Sequence, residues 1–144
     1  MFNSIVLDQW DRKPYFDHYL NQVRCTYSIT ANLDITLLIN ELKLKGLKFY
    51  PALRTCFDAK PNEPPNIFPV SSIPWVNFMG FNLNIYNEGT YLLPIFTMGK
   101  YVQQNDKVYL PLSIQLHHAV CDGYHAGVLF TELQSLADQC HDWC

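Results

Sequence analysis

The sequence lacks an excess of positive charge and lacks any long apolar run. Its 10 Lys and Arg residues are outnumbered by 13 Asp and Glu residues, which gives a formal net charge of −3. Binding to a nucleic-acid backbone or an anionic membrane needs a basic field that this balance does not supply. No stretch approaches the roughly 18 apolar residues of a membrane span, and the opening MFNSIVLDQWDRK has no basic segment ahead of its short apolar run. We therefore expect no nucleic-acid partner, no membrane association and no targeting signal.

The cysteines are also too scattered for a structural framework. There are five, at positions 25, 56, 121, 140 and 144, and none forms a CxxC pair. An odd number at these spacings predicts neither a closed disulfide set nor a zinc ribbon. Reduced thiols of this kind indicate a cytoplasmic protein.

Apolar and aromatic residues are what the chain has in quantity. Of its 144 residues 49% are apolar, and 3 Trp, 9 Tyr and 9 Phe make 15% aromatic. This length suffices for one domain with a hydrophobic core, which we assign to residues 1–144. The aromatic surplus further predicts pockets or subunit contacts built from ring faces.

Hydrophobic periodicity predicts an α/β (α+β layered) domain with a mixed, largely antiparallel sheet. Six of the nine prolines fall between Pro51 and Pro74, which indicates an irregular connection over about 54–74. Asp34 and Gly46 are the expected N-cap and C-terminal residue of the second helix, and Pro94 and Pro111 are expected at edges or bulges. The predicted helices are 12–20, 35–44 and 124–140; the predicted strands are 25–33, 75–85, 91–103 and 107–117, the last two joined by a turn at QNDK.

Residues 117–123 read HHAVCDG and carry the clearest chemical signal. A histidine between a strand end and a helix start is held rigidly yet stays accessible, and imidazole suits proton transfer near neutral pH. Two other interpretations remain open at this point. The histidine pair could serve packing, or a metal could bind to the set His117, His118, Asp122 and His125, although the spacing matches no recognised site. Cys121 is better explained as a small buried residue than as a nucleophile.

Other short pieces of the chain carry a resemblance together with HHAVCDGYH (117–125). They are QWDRK (9–13), CTYSIT (25–30), LDIT (33–36), KFYPA (48–52), PWVNF (74–78) and IFTMGKY (95–101). In this order they resemble the trimeric chloramphenicol acetyltransferases, which belong to a wider group of acyltransferases with an HHxxxDG signature. PWVNF and TMGKY favour the antibiotic enzymes over the dihydrolipoyl acyltransferases of that group. The resemblance implies the coenzyme-A-dependent acyltransferase fold.

The resemblance also implies a role for each matching polar residue. His118 would be the general base that takes the proton from the primary hydroxyl of chloramphenicol, which then attacks the thioester of acetyl-CoA directly. Ser71 would donate to the oxyanion of the tetrahedral intermediate, and Thr97 would support the same site through water. Asp122 and Arg12 would form a buried ion pair that holds the loop and the imidazole in place.

The family further implies a shared site in a cytoplasmic homotrimer. His118 would come from one chain, and Ser71 with most of the pocket from its neighbour. No Gly-rich phosphate loop is present, so the coenzyme A contacts implied by the resemblance are Lys100, Tyr101 and Tyr50, with no metal. The acceptor pocket would be lined by Tyr19, Val23, Tyr27, Phe81, Leu83, Ile85, Tyr91 and Ile95.

The chain departs from the family in length. Family chains are longer by roughly seventy residues, and the shortfall falls between Leu53 and Arg54, where helices, strands and part of the pocket would stand. Pro69 also replaces a residue that is often polar near the oxyanion serine. Three hypotheses follow: acetylation of chloramphenicol with one pocket wall missing, an impaired remnant that still trimerises and binds hydrophobic ligands, or transfer to another acceptor.

Overall fold

The computed structural model describes residues 4–50, 69–84 and 89–143, and these contain a five-stranded mixed sheet with helices packed on one face. Short 3₁₀ helices lie at Leu7–Gln9 and Cys140–Asp142, and a π-helix at His18–Val23. The α-helices are α1 (Lys13–Asp17), α2 (Thr36–Leu44) and α3 (Gly123–Asp138). The strands are β1 (Thr26–Asp34), β2 (Val70–Ser72), β3 (Ile95–Met98), β4 (Val102–Gln104) and β5 (Lys107–His117).

Strand β5 is the centre of the sheet. It pairs antiparallel with β1 along nine residues, with Thr26 opposite His117 and Asp34 opposite Tyr109. On its other edge it pairs antiparallel with β3 and β4, and β2 adds to β3 in parallel, giving the order β1-β5-β3-β2. The expected mixed, largely antiparallel sheet is therefore confirmed. Because β5 is held on both edges, the HHAVCDG motif starts from a rigid strand.

The two faces of β5 are buried in different ways. One face joins the hydrophobic core, and the alternate positions are polar although equally buried. On an exposed strand face, water would bind such polar groups. Here they are buried, so their hydrogen-bond partners must come from the protein. The core face carries Leu110, Leu112, Ile114 and Leu116, packed with Leu38, Ile39 and Leu42 of α2 and Ala126 of α3; the polar face carries Ser113, Gln115 and His117.

The helices largely begin and end where the sequence indicates. The Asp34 carboxylate accepts hydrogen bonds from the backbone N–H of Thr36 at 3.1 Å and its hydroxyl at 2.5 Å and so supports the first turn of α2. The N-cap itself is Ile35, one residue after the predicted Asp34. The helix ends before Gly46, at φ +67°. The first helix differs from the prediction, since α1 begins at Lys13 and continues as the π-helix to Val23, before Arg24 at φ +50°.

Three strand predictions need correction. The segment predicted as a strand over 75–85 forms no strand in its described part, 75–84, because side chains of β5 hold it. The strand predicted over 91–103 is two short strands, β3 and β4. Within the predicted connection over 54–74, residues 70–72 form the edge strand β2, while 54–68 lie outside the described residues. The turn at QNDK is confirmed, with Asn105 at φ +55° between β4 and β5.

A close backbone approach separates β3 from β4. Pro111 stands inside the central strand β5, and its carbonyl accepts the Gly99 N–H at 2.9 Å. Proline has no N–H to donate, and on this edge of β5 it faces the irregular residues 99–101 between β3 and β4. This irregularity is the bulge expected near Pro111. A Cβ on Gly99 would lie 2.7 Å from Pro111 Cγ and 2.8 Å from Phe78 Cε1, so only glycine fits here.

Candidate active site

His118 sits at the end of β5 among three tyrosine rings. Its backbone N–H donates to the Cys25 carbonyl at 2.9 Å, which ties the residue to the start of β1. The ring centroids of Tyr15, Tyr19 and Tyr27 lie 5.5, 4.3 and 5.5 Å from that of the imidazole, all in edge-to-face arrangements. The strand end fixes the backbone and the tyrosines fix the ring.

The contact with the Cys121 carbonyl defines the tautomer of His118. That oxygen lies 3.3 Å from Nδ1, and since a carbonyl only accepts, Nδ1 carries a proton, which in the neutral ring leaves the lone pair on Nε2. The same carbonyl accepts the Tyr27 hydroxyl at 3.0 Å. Burial raises the pKa of Tyr27, so this phenol stays protonated as a donor. A neutral imidazole with its lone pair on Nε2 is what a general base requires.

Cys121 itself lacks the properties of a nucleophile. Burial raises the pKa of its thiol, which disfavours the reactive thiolate. Its carbonyl, rather than its sulfur, faces the imidazole.

Tyr15 is a site residue that sequence reasoning missed. Its hydroxyl oxygen lies 3.1 Å from both ring nitrogens of His118, and the Arg12 guanidinium carbon lies 4.8 Å from the centroid of its ring. The available signal was its spacing of four residues from Tyr19, which puts both rings on one helical face.

Asp122 joins Arg12 and His125 in one polar cluster. It accepts the Arg12 Nη2 at 3.2 Å and the His125 Nδ1 at 2.6 Å, and it caps α3 by accepting the N–H groups of Tyr124 and His125 at 3.1 and 3.2 Å. Hydrogen bonds from the His125 side chain and then its backbone hold the pKa of Asp122 below its ordinary value. The expected pair of Arg12 and Asp122 is not buried in the single chain, since its side chains are 27% and 34% exposed.

His117 has a structural role, because both of its ring nitrogens are hydrogen-bonded within the chain. Its side chain is buried, with Nε2 2.6 Å from the Gly89 carbonyl and Nδ1 accepting the Ala119 N–H at 3.1 Å. Both nitrogens are therefore occupied, which leaves no lone pair for a metal. Across the described parts of the chain, no group of three or more His, Cys, Asp or Glu side chains is placed to hold a metal ion.

Ser71 and Thr97 lie together but far from His118. Ser71 on β2 is in register with Thr97 on β3, which is in register with Ser113 on β5. Two strand spacings of about 5 Å and four residues of about 3.4 Å along β5 put the Ser71 and His117 Cα atoms roughly 17 Å apart. Within one chain, Ser71 and His118 therefore cannot reach the same carbonyl.

The expected acceptor-pocket residues form two groups. Tyr19 and Tyr27 contact the His118 ring, and Val23, half exposed, ends the nearby π-helix. Phe81 and Leu83 lie over the polar face of β5, where a groove of about 430 Å³ opens between residues 79–82 and Ser28 and Thr30 of β1. Ile95 begins β3, Tyr91 is half buried before it, and Ile85 lies outside the described residues.

The expected coenzyme A residues also lie together, on the side of the sheet near Gly99. The rings of Tyr50 and Tyr101 stack at 6.0 Å, and the Tyr50 hydroxyl donates to the Gly99 carbonyl at 2.8 Å. Burial raises the pKa of Tyr50, so it remains a neutral donor. Lys100 is exposed and adjacent, with its backbone N–H donating to Val76 at 2.7 Å.

Comparison with known proteins assigns the chain to a family. The family model described as chloramphenicol acetyltransferase matches residues 1–57 and 52–134. The chain belongs to the chloramphenicol acetyltransferase family. Relatives named chloramphenicol acetyltransferase include one from Clostridium perfringens at 44% identity, covering 99% of this chain and 97% of the relative, and one from Clostridium butyricum at 42% with the same coverage. A third, from Staphylococcus aureus, is 36% identical and covers 99% and 98%.

The family fold is shown independently by a solved chloramphenicol acetyltransferase structure. It superposes with a TM-score of 0.77 at 13% identity, covering 95% of this chain and all of that one. The alignments with the first two relatives run over 213 residues, against 144 in this chain. The two matched pieces of the family model meet at residues 52–57, which include the expected junction of Leu53 and Arg54. Among the described residues, no helix is long and apolar enough to cross a membrane.

Proposed function

We propose that this chain transfers the acetyl group of acetyl-CoA to the primary hydroxyl of chloramphenicol, with His118 as the general base. The observation that carries the proposal is the imidazole held at the end of β5 with Nδ1 facing the Cys121 carbonyl, 3.3 Å away, and Nε2 left basic. His118 Nε2 takes the proton of the acceptor hydroxyl as its oxygen attacks the thioester carbonyl. The tetrahedral intermediate then collapses, expelling the coenzyme A thiolate, which recovers the proton from the imidazolium. A base placed in this way is worth roughly 10²- to 10⁴-fold in rate.

The cluster around Asp122 supports the base from behind. Asp122 caps α3 and contacts Arg12, whose guanidinium covers the Tyr15 ring beside His118. In our proposal this pair keeps the 117–123 turn in place and does not touch the reacting atoms. Assembly with a neighbour would bury the pair further than the single chain does.

The distance between Ser71 and His118 favours a site shared between copies of the chain. Since Ser71 stands roughly 17 Å along the sheet from His117, the residue before His118, we infer that an oxyanion donor for the carbonyl near His118 comes from a second copy. Ser71 is exposed on edge strand β2 and is available to a neighbour. Thr97 is buried beside it in register and would support it. A closed ring of identical interfaces is the homotrimer implied by the family.

The substrates would approach this shared site from two sides. Phe81 and Leu83 of one chain would face Tyr19 and Tyr27 of its neighbour around the acceptor, and Tyr50, Lys100 and Tyr101 would contact coenzyme A. The thiols at positions 25, 121 and 140 are free, in keeping with a reducing cytoplasm.

The test is release of free thiol from acetyl-CoA, measured with and without chloramphenicol. We expect chloramphenicol-dependent release that His118→Ala abolishes and that His141→Ala leaves unchanged, because His141 is an exposed histidine in the C-terminal 3₁₀ helix. Binding of chloramphenicol by a folded oligomer without thiol release would instead identify an impaired member of the family. Release with other hydroxyl or amine acceptors alone would assign a different acceptor.

A further inference from the structure

Gln115 holds a neighbouring segment in the way that a β-strand would. Its amide is buried, with 6% of the residue exposed. The side-chain oxygen accepts the Leu83 N–H at 2.9 Å, and the side-chain nitrogen donates to the Leu83 carbonyl at 2.8 Å. One side chain thus satisfies both backbone groups of a residue that belongs to no strand.

Ser113 repeats this arrangement two residues earlier on the same face of β5. Its hydroxyl donates to the Phe81 carbonyl at 2.6 Å. Both anchors stand on a strand paired on each edge, with Ser113 between Thr30 and Thr97, and Gln115 between Ser28 and Ile95. Three hydrogen bonds therefore fix Phe81 and Leu83 to the central strand of the sheet.

We propose that Gln115, assisted by Ser113, is a positioning residue for the acceptor pocket, an inference that rests on the proposed function. Pinning both backbone groups of Leu83 fixes how far Phe81 and Leu83 stand from the sheet and which way their side chains project. The hydrogen bonds of the amide go to the Leu83 backbone, so we expect its loss to change the fit of the acceptor and not the contacts of Tyr50, Lys100 and Tyr101. Gln115 thereby positions an apolar pocket wall that is not part of any β-strand.

Gln134 offers a matched comparison elsewhere in the molecule. Its oxygen accepts the Asp34 N–H at 2.9 Å and its nitrogen donates to the Asp34 carbonyl at 2.9 Å. This is the same two-bond amide contact, made from α3 to the end of β1 rather than to the pocket segment. Replacing either glutamine by methionine keeps the side-chain length and removes both bonds.

The experiment compares Gln115→Met, Gln134→Met and Ser113→Ala in the full chain. Amide hydrogen exchange at Leu83 is measured in the free protein, and KM is measured separately for chloramphenicol and acetyl-CoA. For Gln115→Met we expect faster exchange at Leu83 and a chloramphenicol KM raised about tenfold, with the acetyl-CoA KM within about twofold of the parent. Ser113→Ala, a milder change, moves the same two readouts less, and Gln134→Met moves neither.

The outcomes separate this inference from the proposed function. Unchanged exchange at Leu83, an unchanged chloramphenicol KM, or equal rises in both KM values for Gln115→Met would overturn it. Faster exchange at Leu83 together with a raised chloramphenicol KM in Gln134→Met would overturn it as well. If the parent chain releases no thiol, the Kd for chloramphenicol is measured by calorimetry in place of KM. A parent chain that neither turns over nor binds chloramphenicol refutes the proposed function and the acceptor role together, while exchange at Leu83 still decides whether Gln115 holds the segment.

Discussion

The Tyr15 hydroxyl oxygen lies 3.1 Å from Nδ1 and 3.1 Å from Nε2 of His118. Because Cε1 lies between the two nitrogens, equal distances put the oxygen over one face of the ring, rather than in line with one lone pair. The acceptor hydroxyl must come within about 2.6–3.2 Å of Nε2 to give up its proton. Tyr15 therefore covers one face of the imidazole, beside the line along which the acceptor must approach Nε2.

Removing this hydroxyl should expose the base. In Tyr15→Phe the ring contacts remain, and we expect acylation of His118 by diethyl pyrocarbonate, followed by peptide mass spectrometry, to accelerate about threefold or more as the hydroxyl contact is lost. Tyr124→Phe is the control, because Tyr124 is 78% exposed. A reaction rate at His118 equal to that of the parent chain would show that the hydroxyl does not shield the imidazole.

Local chemistry explains which parts of the fold were predictable. The start of α2 beside Asp34, the turn after Gln104 and the alternation along β5 depend on neighbouring residues. The turn and the alternation appear as predicted, and the N-cap lies one residue after Asp34. The segment at 75–84 carries strand-like residues, yet its bonds go to Ser113 and Gln115 of a distant strand. Sequence periodicity contains no information about such long-range partners, and it misassigned this segment for that reason.

The candidate site divides in the same way. His118 and Asp122 belong to one short motif, so their proximity follows from chain order. The contact of Tyr15 with His118 joins residues 103 positions apart, and the separation of Ser71 from His118 follows from strand order, which periodicity does not define. Only the resemblance to a family suggested that these two residues come from different copies.

Asp34 should make stability depend on pH. The pKa of its carboxyl is lowered mainly by a hydrogen bond from the Lys107 side chain and next by one from Thr36. The Lys107 Nζ lies 2.8 Å from Asp34 Oδ2. A carboxyl whose folded pKa lies below its unfolded value of about 3.9 adds stability above that value and loses it as pH falls through the folded pKa. Asp34→Asn keeps a hydrogen-bond acceptor for Thr36 but loses the charge beside Lys107, so it should lower Tm at pH 7 by the small amount typical of a partly exposed ion pair and change it little at pH 2.

The comparison for this prediction is Asp106→Asn, in the exposed turn between β4 and β5. Thermal unfolding followed by circular dichroism at both pH values measures the difference. A loss in Tm for Asp34→Asn that is as large at pH 2 as at pH 7 would contradict the ionic origin of the effect.

Gly99→Ala should destabilise the sheet where β3 gives way to β4. The added methyl would lie 2.7 Å from Pro111 Cγ and 2.8 Å from Phe78 Cε1, and overpacking of this kind costs about 1–3 kcal/mol. Gly127→Ala is the matched control, since its Cβ meets nothing within 4 Å and alanine favours the interior of α3 by about 1 kcal/mol. Urea unfolding should move the two midpoints in opposite directions, and a stable Gly99→Ala protein would mean that Pro111 and Phe78 can move aside.

A shared site predicts that two inactive chains restore each other. Ser71→Ala should lose about 10²- to 10³-fold in rate as an oxyanion donor disappears, and His118→Ala should lose the base. In trimers formed by refolding an equal mixture, an interface that takes His118 from one variant and Ser71 from the other is intact, so about a quarter of the sites should work. Each variant refolded alone supplies the baseline, and a mixture of His118→Ala with His118→Gln supplies the control that cannot complement. Activity in the first mixture no higher than the sum of its parts would place the reaction within a single chain, at odds with the distance of roughly 17 Å along the sheet.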